Sequence, residues 1–169
     1  MKTPICAFDA KSGILCAKCT GKLKNGHITH ADVELSKKLT KLSEKIPELR
    51  DATLLRGLEI EDDYVLVVPP VDSLRLRRDP ALLKRLEDEL GRKIWLLEGE
   101  ATDKKALEDL FHPVRILTVN TVWLPDGSKL TKAIIPGRST ERFPINLEQI
   151  KRIVKVVRGV DLLVEFERP

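Results

Sequence analysis

Three cysteines, Cys6, Cys16 and Cys19, and one carboxylate, Asp9, fall between positions 6 and 19, and no cysteine occurs elsewhere. They form two pairs of the same spacing, Cys6-Ala7-Phe8-Asp9 and Cys16-Ala17-Lys18-Cys19, with Gly13 in the turn between them. Each such pair wraps one stretch of backbone around one side of a tetrahedral ion. Zinc accepts both thiolate and carboxylate in closed, structural sites. The pattern predicts a zinc knuckle holding a structural Zn2+ through Cys6, Asp9, Cys16 and Cys19. His27 or His30 is the alternative fourth ligand, since imidazole is the commoner partner of three thiolates. A redox-active Cys-x-x-Cys is the other reading of Cys16 and Cys19. That motif opens a helix after a buried strand, and no apolar strand precedes it here.

An odd, clustered set of cysteines argues against a disulfide framework. The opening Met1-Lys2-Thr3-Pro4-Ile5-Cys6 has no apolar run of the signal-peptide kind, and no segment reaches the length of a membrane span. The expectation is a cytoplasmic protein without a membrane partner. Charged residues make up 33% of the chain, and Gln149 is its single glutamine. That composition is the one thermophile proteins favour. The three histidines, His27, His30 and His112, are scattered, and no Gly-rich phosphate loop, nucleophile elbow or paired acid cluster appears. The chain therefore reads as non-enzymatic.

The net charge of +4 is unevenly distributed. Lys129, Lys132, Arg138, Arg142, Lys151, Arg152, Lys155 and Arg158 face only Glu141 and Glu148 in the same stretch. Lys11, Lys18, Lys22 and Lys24 make the knuckle basic too. Such unevenness suits a polyanionic partner.

The elements that must position these groups can be read from apolar period and from caps. Val33, Leu35, Leu39, Leu42 and Ile46 predict a helix over 30–46, capped by Thr29 and ended by Pro47. Strands are predicted over 52–60 and 64–68, with Glu61-Asp62-Asp63 as the turn. Residues 72–78 read as a polar, basic loop carrying Arg75, Arg77 and Arg78. Asp79-Pro80 then starts a helix that Gly91 ends, and 93–98 is a third strand. The order repeats: a helix over 103–111, strands over 114–124 and 130–135 about the Pro125-Asp126-Gly127-Ser128 turn, a loop over 137–145, an Asn146-capped helix ended by Gly159, and a strand over 161–166. The fold class expected is α+β: a zinc knuckle (1–28) and two αββαβ units (29–99 and 100–169).

These phrases resemble a known family. Asp79-Pro80-Ala81-Leu82-Leu83-Lys84-Arg85-Leu86-Glu87-Asp88-Glu89-Leu90-Gly91, followed by Arg92-Lys93-Ile94-Trp95, resembles the helix and last strand of the first KH domain of the transcription factor NusA. Leu110-Phe111-His112-Pro113-Val114-Arg115-Ile116-Leu117 resembles the linker into its second KH domain, and Ala133-Ile134-Ile135-Pro136 a strand end within it. The resemblance implies tandem type II KH-like domains that bind RNA. A knuckle ahead of them resembles an archaeal form of the family. The Gly-x-x-Gly loop by which that family grips the RNA backbone is missing: residues 71–78 contain no glycine, and 137–143 contain Gly137 alone. Arginines stand in both places and can hold phosphate through their forked donors.

The expectation is a factor that contacts structured RNA, ribosomal or nascent, with the ribosome or RNA polymerase as the assembly it serves. Homodimerisation stays open. Arg75, Arg77, Arg78, Arg138, Arg142, Lys151, Lys155 and Arg158 are the expected contacts. Lys151, Lys155 and Arg158 share a helix face, and Arg138 and Arg142 border it. The alternative is a protein-interaction module whose KH-like folds have lost RNA.

Overall fold

The computed structural model describes residues 1–138 and 144–167. The chain divides into two compact units, Met1–Glu100 and Ala101–Pro169.

The first unit opens with two short helices, α1 (Ala7–Ser12) and α2 (Ala17–Lys24). Gly13 closes α1 at φ 78°, a left-handed conformation that glycine adopts without steric cost. The long helix α3 (His30–Lys45) follows. Its start is a reciprocal box: Thr29 caps the Asp32 amide, and Asp32 Oδ2 accepts from the Thr29 amide at 2.7 Å. Strands β1 (Arg56–Ile60) and β2 (Asp63–Val68) pair antiparallel, and β3 (Ile94–Glu98) joins β2 in parallel. The helices α4 (Pro70–Arg77) and α5 (Pro80–Leu90) make the crossover between β2 and β3. Leu35, Leu39, Ile46, Leu54, Leu66, Leu86 and Leu96 form the core between α3, the sheet and α5.

The knuckle is tied into this unit. Lys2 forms a parallel bridge to Thr53, with the Lys2 amide donating to Ala52 O at 3.0 Å. Ile5, Ala10, Cys19 and Ile28 form a small apolar cluster that Val33 of α3 completes.

Residues 72–78, expected as a loop, are helical in α4. The reason is visible in what α4 buries. Its inward side chains are Asp72, Ser73 and Leu76, while Val71 and Leu74 face solvent. An apolar-period argument cannot find a helix whose buried face is mostly polar. Asp72 accepts from the Thr53 amide at 3.1 Å and pairs with Arg75 at 2.9 Å, which satisfies the buried carboxylate.

The second unit runs α6 (Asp103–Phe111), β4 (Thr118–Trp123), β5 (Lys129–Pro136), α7 (Leu147–Arg158) and β6 (Asp161–Glu167). Strand β4 pairs antiparallel with β5, and β6 parallel with β5. The two sheets thus share one order of pairing. Thr102 caps α6 and Asn146 caps α7. Strand β4 starts later than the sequence suggests, at Thr118 and not at position 114. The α+β class and the αββ…αβ order hold in both units, with α4 as an added helix in the first.

Candidate metal centre and cationic surfaces

Cys6 is the N-cap of α1 and Cys16 the N-cap of α2. Asp9 and Cys19 stand three residues into their helices, at the position whose side chain folds back toward the cap. The x-x spacing therefore brings cap and third residue to one side, twice. The donor atoms of Cys6, Asp9, Cys16 and Cys19 all lie within 4.8 Å of one another. Zinc–sulfur bonds of about 2.3 Å set tetrahedral donors about 3.8 Å apart, so the nest closes on an ion with a movement of about an ångström. His27 and His30 are exposed and do not join the group. The structure thus puts the carboxylate in the fourth place.

Asp9 is wholly buried. Its Oδ2 accepts from the Cys16 amide at 2.9 Å, but its Oδ1 has no hydrogen-bond partner. A buried carboxylate oxygen without a partner is costly, and a cation among three thiols would satisfy it. The Cys16 amide, together with the Cys19 and Cys16 thiols, holds the Asp9 carboxyl down at about 2. Burial pushes the Cys19 thiol up to about 12. The Cys6 amide points at Cys19 Sγ, 3.5 Å away. Cys6 and Cys16 are exposed while Cys19 is buried. These four residues can hold a metal ion: one permanent anion, three soft donors, and the amide-rich starts of two helices around them.

The expected RNA contacts fare unevenly. Arg75 pairs with Asp72, and Arg77 donates to Leu96 O at 3.0 Å and to Ser73 Oγ at 3.3 Å, which ties α4 to β3. Arg78 caps the C-terminus of α4 and is exposed. On α7, Lys151 pairs with Glu148 at 3.4 Å and Lys155 with Asp161 at 2.9 Å. Arg158 pairs with Asp103 at 3.3 Å and donates to Ala101 O. Lys132 pairs with Glu165 at 2.8 Å, and Lys129 with Asp103. The expectation that Glu148 and Glu141 are the acids near α7 is corrected by Asp103 and Asp161. Asp103 is remote in sequence from the cations it meets, and Asp161 lies past the glycine turn that ends α7. Arg138 is exposed, and Arg142 lies outside the described residues.

What the sequence reading passed over is the surface of the knuckle. Phe8 is 75% exposed and Ile14 74% exposed, in the same segment as Lys11, Lys18, Lys22 and Lys24. Among the described residues, no helix is long and apolar enough to cross a membrane.

No family model matches the chain, and no curated protein does. Solved structures do match it, among them one described as "Crystal structure of APE1850". That structure is 17% identical, with a TM-score of 0.55, over 78% of this chain and 96% of the other. At that identity the likeness is one of fold.

Proposed function

We propose that this chain is a non-enzymatic RNA-binding factor whose N-terminal knuckle carries a structural zinc. The observation that carries the zinc is the orphaned Oδ1 of buried Asp9 within reach of three thiols. Three thiolates and a carboxylate fill a tetrahedral ion and leave no open position, which suits structure and not catalysis. The knuckle's apolar cluster is too small to stand alone, and ligand binding would substitute for a core. Metal analysis of protein purified without added zinc tests this: about one equivalent per chain is expected, and none would overturn it.

The RNA reading is supported by the repeated αββ…αβ order with its resemblance to the NusA tandem KH pair. The positive charge adds support. Ribosomal or nascent RNA, on the ribosome or beside RNA polymerase, is the target class that follows. Arg78 and Arg138 are the exposed cations of the expected set without an ion-pair partner among the described residues. A salt titration of binding to total RNA tests the reading, since phosphate contacts weaken steeply with salt. One observation favours a protein-interaction module as the second reading: Arg75, Lys151, Lys155 and Arg158 are already in ion pairs. Binding to a protein partner that is indifferent to salt would select it.

A further inference from the structure

The five lysines of residues 1–28, Lys2, Lys11, Lys18, Lys22 and Lys24, share that segment with a single acid, Asp9, which is buried. Among the described residues, none of the five has an ion-pair or side-chain hydrogen-bond partner, unlike the cations of α7. Phe8 lies one position before Asp9, and Lys18 one before Cys19, so each inward ligand has an exposed neighbour on the helix. Phe8 and Lys11 are three apart on α1, and Lys18 and Lys22 four apart on α2, spacings that set side chains on one helix face.

The Phe8 ring and Ile14 stand exposed on a small body. The charge of the segment says which kind of partner suits them. A partner that meets unopposed lysines in the same short segment as an exposed aromatic ring is a polyanion with flat faces. Lysine on phosphate and a base on an aromatic ring are the two contacts that make single-stranded nucleic acid binding.

A second observation lies next to this surface. Lys11 also lines a pocket of about 440 Å3 together with Arg50 and Thr40. Thr40 is 7% exposed, and its Oγ1 has no hydrogen-bond partner. The two cations of that pocket outnumber its one acid, Glu44, and give it an excess of positive charge.

We propose that the knuckle is the primary contact for single-stranded RNA, with a base stacked on Phe8 and the backbone held by Lys11, Lys18 and Lys22. This rests on the RNA-binding reading above and moves the contact away from α4 and α7. The test is anisotropy of a labelled oligouridylate titrated with the full, zinc-loaded chain across salt, with oligothymidylate in parallel. Lys11→Ala/Lys18→Ala/Lys22→Ala should lower affinity by about tenfold or more and reduce the salt slope by about two, at roughly 0.7 per single-strand phosphate contact. Phe8→Ala should lower affinity about tenfold and leave the slope unchanged, since a stacked base carries no counter-ion. Metal content and melting temperature show that each variant is folded. Lys→Gln variants replace any alanine variant that loses metal.

Equal binding of both oligonucleotides supports the contact without selection for the 2′-hydroxyl. If the wild type binds and both variants bind equally well, the knuckle contact is wrong while the RNA reading stands. If the wild type binds neither oligonucleotide but binds total RNA, the single-strand contact is wrong while the RNA reading stands; if it binds none of them, both fall, and the protein-interaction reading leads.

Discussion

The knuckle and the second unit are both rich in lysine and arginine, yet the fold treats their charges oppositely. In the second unit the cations find acids: Lys155 meets Asp161, Arg158 meets Asp103, and Lys132 meets Glu165. In the knuckle the only acid is turned inward to the thiols, and Lys2, Lys11, Lys18 and Lys24 are exposed while Lys22 is half-buried. The two regions also differ in what holds them. The second unit buries Ala133, Ile135, Ile150, Ile153 and Val154 almost completely. The knuckle buries little more than Ile5, Ala10, Cys19 and Ile28. A cluster that small does not offset the chain entropy of ordering its helices. Charge in a sequence is thus not charge on a surface. What decides is whether the fold brings an acid within reach, and in the knuckle the one acid sits among three thiols.

The sharpest way to break this comparison is to remove the metal proposed for the knuckle. Stripping with a strong chelator, or Cys19→Ser, should abolish amide protection over residues 1–28 while Ala101–Pro169 keeps its own. Structural zinc binding is worth on the order of 10 kcal/mol in small domains, far more than the knuckle's apolar cluster supplies. Hydrogen exchange read by mass spectrometry checks this. Full protection of α1 and α2 in metal-free protein would mean that packing on Val33 suffices.

The next effect compares a buried ion pair with the exposed ones. Asp32 is wholly buried and accepts from the Gly57 amide at 2.7 Å and the Thr29 amide at 2.7 Å, and it pairs with Arg56 at 3.1 Å. Asp32→Ala removes the reciprocal half of the capping box, a hydrogen bond worth about 1 kcal/mol, and leaves the buried Gly57 amide without its partner, a further 1–3 kcal/mol or so. A loss of about 3 kcal/mol in denaturant unfolding is expected. A loss below 1 kcal/mol would show that burial does not set the worth of a pair here.

How much of this was legible beforehand follows the same division. The metal nest was legible because its geometry is local: cap and third residue of a helix are fixed by spacing alone, so Cys6, Asp9, Cys16 and Cys19 could be named together. The αββ…αβ order was legible for a related reason, because Pro47, Gly91, Pro113 and Gly159 mark element ends in the sequence. Helix α4 was not, since it turns Asp72 and Ser73 inward and leaves Val71 and Leu74 outside. The neutralisation of α7 was not legible either. Lys155–Asp161 crosses a glycine turn, and Arg158–Asp103 joins the two ends of the unit, so neither pair falls at helical spacing. The exposed Phe8 carried a signal that could have been read: a cap–third-residue pair points inward, so the residue just before the third faces outward.

The smallest effect sharpens the comparison most finely. Lys151 and Lys155 sit in exposed pairs, and exposed pairs contribute about 0–1 kcal/mol. Lys151→Ala/Lys155→Ala should therefore change stability by less than about 1 kcal/mol. Because both ammonium groups already have carboxylate partners, a phosphate arriving there would have to displace one anion for another, with little net gain. RNA affinity should stay within about twofold of wild type, and the salt slope should be unchanged, in contrast to the two-unit fall expected from the knuckle lysines. Asp161→Asn supplies the converse: it frees Lys155 without altering shape. If freeing that lysine raises RNA affinity several-fold, α7 lies along the path of the strand, and its pairing with Asp161 is what keeps it silent. If affinity does not move, the difference between the two regions is one of position as well as of pairing.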